Sequence, residues 1–174
     1  HLDTADERHC VPGFQAASAS KRRPDEDEPG GIREHDVLWT PDTGNDLFVV
    51  SDIHSNAPAL EAVLQDAPSF DTMICLGDIV GYGPNPNACV TRVQDFDLVC
   101  LSGNHDQATV GKADVLVFNR DAREALSWTQ RQLTAQNLAF LGELPASTAL
   151  PGHEEVLLAH GSPRDPVWEY LVDM

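Results

Sequence analysis

Lysine is nearly missing from this sequence. Two occur in 174 residues, Lys21 and Lys112, and 11 basic groups face 28 acidic ones for a formal net charge of −17. A surface so charged repels polyanions. That excludes broad, sequence-independent nucleic-acid binding, which depends on Lys and Arg at phosphates. The imbalance is not confined to one end, because residues 46–174 still carry 18 acidic against 6 basic groups. Long hydrophobic runs are missing too. Nothing approaches the roughly 18 apolar residues of a membrane span, and no basic segment leads into an apolar one as in a signal peptide. The four cysteines, Cys10, Cys75, Cys89 and Cys100, show no C-x-x-C spacing, which excludes the common zinc and dithiol motifs. Cys75 and Cys100 sit within apolar runs, where a free thiol behaves as a small hydrophobe. Reduced thiols in a cytoplasmic protein are expected.

What is present is organised by strand ends. Leu47-Phe48-Val49-Val50 is an apolar run of strand length, and it delivers Asp52 and His54 two positions apart where polar residues begin. In a parallel α/β sheet, ligands bind outside the carboxyl ends of the strands. An oxygen donor and an imidazole there make half a metal site. Thr72 to Leu76 ends in Gly77-Asp78. Leu98 to Ser102 ends in Gly103-Asn104-His105-Asp106, and Val156 to Ala159 ends in His160-Gly161. Four runs therefore finish in a carboxylate, carboxamide or imidazole.

Between them lie helical signals. Leu60, Val63, Leu64 and Ala67 follow a spacing of i, i+3, i+4 and i+7 behind Pro58. Asn85-Pro86 reads as an N-cap and first helical residue, with Cys89, Val90 and Val93 facing inward. The order β-α-β-α-β predicts an α/β class with parallel pairing. Over 114–144, Ala122, Ala125, Leu126, Thr129 and Leu133 mark one helix face, with Trp128 read as a core or lid residue. Thr134 caps a further helix carrying Leu138 and Leu141. Residues 149–159 read as a hairpin with His153 exposed in its turn. Residues 1–45, with a short basic patch (Lys21-Arg22-Arg23) beside an acidic run, are expected to be a disordered or linker-like tail, and residues 46–174 the domain.

Taken singly, each polar residue has a plain structural role open to it. Asp52 and Asp78 could cap turns, His54 or His160 could be hydrogen-bonded core histidines, and Asn104-His105 could be turn chemistry after Gly103. Together, Asp52-x-His54, Gly77-Asp78, Gly103-Asn104-His105-Asp106 and His160-Gly161 resemble the signature of the calcineurin-like metallophosphoesterases. The stretches Ser51-Asp52-Ile53-His54, Asn56, Gly77 through Pro84 and His160 through Asp165 resemble its bacterial and archaeal phosphodiesterase-like subgroup more closely.

The resemblance implies a four-layer αββα sandwich with two divalent metal ions at the strand ends, Mn favoured and Fe, Zn, Ni or Mg also compatible. It implies that Asp52 and His54 hold the first metal, Asp78 bridges, and Asn104 and His160 hold the second. His105 would face the substrate phosphate and protonate the leaving oxygen, with Asp106 orienting it. Asn56, Tyr82 and Arg164 are candidate substrate contacts. Tyr82 is equally a loop-packing residue, and Arg164 equally a partner of Asp165 or Glu169. The expected activity is hydrolysis of a small phosphate ester or nucleotide-like substrate, diester or monoester, by a bridging hydroxide. The alternatives are a non-catalytic binding protein of the same fold and a phosphoprotein phosphatase. There are two departures. Ser55 stands where the family usually has Gly. The closing Gly-His-x-His, which gives one ligand to each metal, has no counterpart after His160, so the resemblance implies a C-terminally incomplete domain, either a fragment or a degraded site.

Overall fold

The computed structural model describes residues 46–170, and the expected tail over 1–45 lies outside them. The elements are β1 (Leu47–Val50), α1 (Ala57–Asp66), β2 (Thr72–Cys75), α2 (Pro86–Val93), β3 (Leu98–Cys100), α3 (Asn104–Thr109), a single 3-10 turn (Val115–Val117), α4 (Arg120–Gln132), α5 (Ala135–Glu143), β4 (Ser147–Leu150) and β5 (His153–Ala159). The class is α/β, as expected. β1, β2 and β3 form a parallel sheet with β2 central, and β4 and β5 form a separate antiparallel pair. No helix among the described residues is long and apolar enough to cross a membrane.

A central parallel strand is covered on both faces, so it tolerates no polar alternation. Met73, Ile74 and Cys75 of β2 are accordingly buried, whereas the edge strands β1 and β3 are only partly covered. Cys89, Val90 and Val93 of α2 are buried as their spacing predicts, and they join Leu60, Ile79, Val80 and Leu141 in one core. Cys75 and Cys100 share a rung of β2 and β3. Cys75 and burial together push the Cys100 thiol well above its ordinary range, consistent with an unreactive, space-filling role.

Three expectations are corrected. In α1 only Leu60 is fully buried. Val63 is 49% exposed, because the core meets the Leu60 and Leu64 line of the helix and not its flank. Trp128 does not enter the core. It precedes Thr129 on α4 by one residue, a rotation of about 100° from the Ala122, Leu126 and Thr129 stripe, and it is 37% exposed. His153 is the first residue of β5 and not a turn residue, with Nδ1 3.4 Å from the Glu155 carboxylate. Asn85 and Pro86 do open α2, although the Asn85 side chain makes no capping bond. Asn56 and Thr134 do cap, accepting from the N–H groups of Ala59 and Asn137.

The helices are joined by one carboxamide. Asn87 donates to the Gln132 carbonyl at 2.8 Å, and its Oδ1 accepts from the Thr134 N–H and the Asn137 side chain, both at 2.9 Å. Asn87→Ala removes all three bonds and leaves the Asn137 amide, which is buried, short of a partner. The expected loss is about 1–3 kcal/mol of unfolding free energy, to be read from urea denaturation curves with an unchanged slope.

Candidate metal centre

Beyond the ends of β1 and β2 the two chains keep hydrogen bonding. The N–H groups of Asp52, His54 and Ser55 donate to the carbonyls of Gly77, Asp78 and Ile79 at 2.9–3.1 Å, and Gly83 and Asn85 return bonds to His54 and Ser55. This pairing holds the exits of the two strands side by side at the cost of backbone strain. Asp52, His54, Ser55, Asp78 and Tyr82 all have φ between 35° and 57°, and they are the only non-glycine residues with positive φ among those described. Each left-handed residue costs roughly 1–3 kcal/mol, and such residues cluster at functional sites. Ser55, at φ 57°, occupies a backbone conformation in which glycine would be unstrained.

Asp78 is at the centre. Its side chain is buried, and Oδ1 accepts the N–H of His105 at 2.9 Å. Oδ2 lies 3.7 Å from His54 Nε2 and 3.6 Å from His160 Nε2, and His54 Nε2 also stands 3.7 Å from Asp52 Oδ1. The far nitrogens face main-chain carbonyls: His54 Nδ1 is 3.3 Å from Val80 O, and His160 Nδ1 is 3.1 Å from Leu76 O. Both nitrogens of each ring therefore face oxygens, Nδ1 a main-chain carbonyl and Nε2 the Asp78 carboxyl. Two donor groups result. Asp52, Asp78 and His160 bring ligand atoms within 4.8 Å of one another, as do His54, Asp78 and His105. Asp78 belongs to both. The remaining donors are not divided exclusively, since His54 Nε2 also stands 3.7 Å from Asp52 Oδ1.

The electrostatics of the cluster suit cations. Burial, then Asp106 and Asp52, push the Asp78 carboxyl up to about 8, and no lysine or arginine among the described residues pairs with it. His105 is drawn down to about 4 by burial and then by His54 and His160. Asn104 is buried, and its Oδ1 has no hydrogen-bond partner. An orphaned buried acceptor is destabilising by about 1–3 kcal/mol unless a donor or cation meets it. A set of carboxylate, carboxamide and imidazole donors with no thiolate fits divalent first-row metals or Mg. Asp52, His54, Asp78 and His160 bring such donors together, and the buried, unpartnered Asn104 oxygen is a further candidate.

Asp106 does not orient His105, contrary to the sequence expectation. Its buried carboxylate accepts from the N–H groups of Ile79, Val80 and Gly103 at 3.0–3.3 Å, and His105 Nδ1 has no partner. Asp106 therefore shapes the turn that carries Asp78. Burial raises its pKa, and those N–H groups oppose the shift. The fork of Arg164 is taken by Glu169, with Nε to Oε2 at 3.1 Å, and Glu169 also receives Ser162 Oγ. The Asn56 oxygen is engaged in the α1 cap. Tyr82, 53% exposed, sets its ring 4.9 Å from that of His54 and 4.7 Å from that of His105. Phe118 meets the His105 ring at 4.9 Å. No local pattern marked it, since the contact joins residues 13 apart across the 3-10 turn. Two glycines make room. A Cβ on Gly81 would stand 2.6 Å from His105 Nδ1, and one on Gly103 would overlap the Asp78 carboxylate.

The chain is similar to known proteins over most of its described residues. Residues 46–173 match the model of the calcineurin-like phosphoesterase family. Protein MJ0912 of Methanocaldococcus jannaschii is 42% identical over 130 residues, which cover 72% of this chain and 53% of that protein. The crystal structure of a metallophosphoesterase from Sphaerobacter thermophilus superposes with a TM-score of 0.60 at 43% identity, covering 72% of this chain and 50% of that one. Protein PH1004 of Pyrococcus horikoshii shares the fold at 20% identity and a TM-score of 0.60, over 71% and 57% of the two chains. The chain thus spans about half the length of these relatives.

Mn²⁺ titrated into the protein is expected to raise the thermal midpoint. At one hundred times the dissociation constant the gain corresponds to about 2.7 kcal/mol. Asp78→Asn retains an acceptor for the His105 N–H and loses the gain. Gly103→Ala loses it as well, because the added methyl displaces the carboxylate. Scanning calorimetry with and without metal distinguishes these outcomes.

Proposed function

The chain belongs to the calcineurin-like phosphoesterase family, and from that premise we propose that it is a metal-dependent hydrolase of small phosphate esters, diester or monoester, working at a two-metal centre. The observation that carries the reading is the Asp78 carboxylate, shared by two donor groups whose other members are Asp52 with His160 and His54 with His105. A carboxylate can bridge two cations, which an imidazole cannot. Asp52, His54, Asn104 and His160 are the further ligands this chain supplies, and Mn²⁺ is the favoured assay metal. When bound, two such cations polarise a phosphoryl oxygen and lower the pKa of a water.

The remaining roles belong to the side chains. His105 is fixed by its own N–H on Asp78 and by the aromatic rings around it. From there it protonates the leaving oxygen once the negative charge of the bound phosphate offsets the burial and the neighbouring imidazoles that hold its pKa down. Asn104 contributes a neutral oxygen, which limits the anionic charge of a site meant for an anionic substrate. The net negative surface keeps polyanions away and leaves small esters or nucleotide-like molecules as substrates. The free thiols of Cys75, Cys89 and Cys100 suit a cytoplasmic location.

Hydrolysis of p-nitrophenyl phosphate and bis-p-nitrophenyl phosphate with added Mn²⁺ tests the reading. His105→Ala is expected to keep its metal content while kcat falls about 10²–10⁴-fold. Asp78→Asn is expected to lose metal and rate together. Wild-type metal content in Asp78→Asn, measured by elemental analysis, removes Asp78 from the bridging role. An undiminished rate in His105→Ala removes the proton donor.

A further inference from the structure

His160 comes to the metal centre from outside the parallel sheet. Asp52, His54 and Asp78 follow β1 and β2, whereas His160 follows β5 of the separate antiparallel pair. Its ring reaches the first sheet through Nδ1, 3.1 Å from the Leu76 carbonyl. A ring held at one nitrogen can still pivot about that bond. Its aim at Asp78 therefore depends on how firmly the main chain on either side is fixed. On one side that is β5, and on the other it is the segment 161–169.

This segment closes on itself around Ser162. The Gly161 N–H donates to the Pro166 carbonyl at 2.6 Å, and the N–H groups of Ser162 and Glu169 donate to the Asp165 carbonyl at 3.1 and 3.4 Å. A Cβ on Gly161 would stand 2.6 Å from the Asp165 carbonyl oxygen, so only glycine permits this approach. Ser162 is buried, and its Oγ accepts from the N–H groups of Arg164 and Asp165 at 3.1 and 3.2 Å. It also donates to the Glu169 carboxylate, which the Arg164 guanidinium grips in turn. All three hydrogen-bonding positions of the hydroxyl are thus filled. A serine turn needs only the two accepting ones. The donated bond reaches seven residues along the chain, to a side chain that lines the same cavity of about 220 Å³ as His160.

We propose that Ser162 and Glu169 are positioning residues for His160, which lock the segment leaving that histidine and so set the metal affinity of the centre. Arg164 belongs to the same lock, as the clamp on Glu169, and does not meet the substrate. The inference rests on the metal centre of the phosphoesterase reading and adds to it residues that touch neither metal nor ester. Ser162→Ala would leave two N–H groups without their acceptor and Glu169 without one donor. Outer partners of metal-binding histidines commonly alter metal affinity by roughly 10–100-fold.

Mn²⁺ binding, followed by the electron paramagnetic resonance signal of the free ion, tests this without requiring turnover. Ser162→Ala is expected to weaken binding about tenfold. Glu169→Ala does the same and serves if Ser162→Ala fails to fold, whereas Glu169→Gln keeps most of the affinity, because its amide oxygen still accepts from the Ser162 hydroxyl. In a His160→Ala background, Ser162→Ala removes no further affinity, since the two side chains act as one unit. Asn87→Ala, which weakens the junction of α2, α4 and α5, keeps the wild-type affinity and so separates positioning from a general loss of stability. At saturating Mn²⁺, Arg164→Ala leaves KM for p-nitrophenyl phosphate unchanged; a raised KM makes it a substrate contact and overturns its place in the lock. Wild-type affinity in both Ser162→Ala and Glu169→Ala, or losses that add to that of His160→Ala, overturns the proposal. No Mn²⁺ binding by the wild-type protein overturns it together with the metal centre. The expected losses in a protein that cleaves no p-nitrophenyl ester uphold the positioning role and remove the hydrolase reading.

Discussion

A carboxylate taken out of water with no basic side chain beside it is among the more costly features a small domain can carry. Asp78 is such a group, and the local architecture is arranged to keep it in place. The turn bearing it is held from below by Asp106, which spends its own carboxylate on the main-chain N–H groups of Ile79, Val80 and Gly103. One Asp78 oxygen takes the His105 N–H, and the other is left facing the Nε2 atoms of two imidazoles. Gly103 cannot be larger, because any Cβ would occupy the position of the carboxylate. Two buried acids thus divide the labour, one satisfied by the backbone and one held open toward a cation.

The strain follows from the same requirement. Asp52 and His54 reach Asp78 only if the chain leaving β1 turns sharply while staying bonded to the chain leaving β2, and left-handed residues produce that turn. The core supplies the rigidity. Met73, Ile74 and Cys75 of β2 are buried, and Cys89, Val90 and Val93 of α2 join Met73 and Cys75 in one core, so the strand leading to Asp78 is firmly packed. The fourth donor strand arrives from a different sheet, with His160 anchored by its Nδ1 on the carbonyl of Leu76.

Much of this was legible before any coordinates. The apolar runs ending in Asp52, Asp78, Asn104 and His160 correspond to β1, β2, β3 and β5, because the boundary between an apolar strand and a polar loop is a local property. The inward face of α2 was legible for the same reason. Less legible was the extent to which neighbours cover a face. The periodicity that placed Val63 on the inner side of α1 says nothing of how far its neighbours cover it, and of the two roles read for Trp128, core or lid, its angle on α4 removes the core one.

The linear pattern by itself determined the α/β class, the strand ends and the donor residue types, since these depend on hydrophobic runs and on side-chain chemistry. Only the tertiary structure decided that Asp106 bonds to backbone and not to His105, that Glu169 takes Arg164, and that Phe118 and Trp168 stand at the site. Each of those outcomes is a competition among partners brought together from distant parts of the chain. Which partner wins is set by distance and burial, and neither quantity is written in the order of the residues.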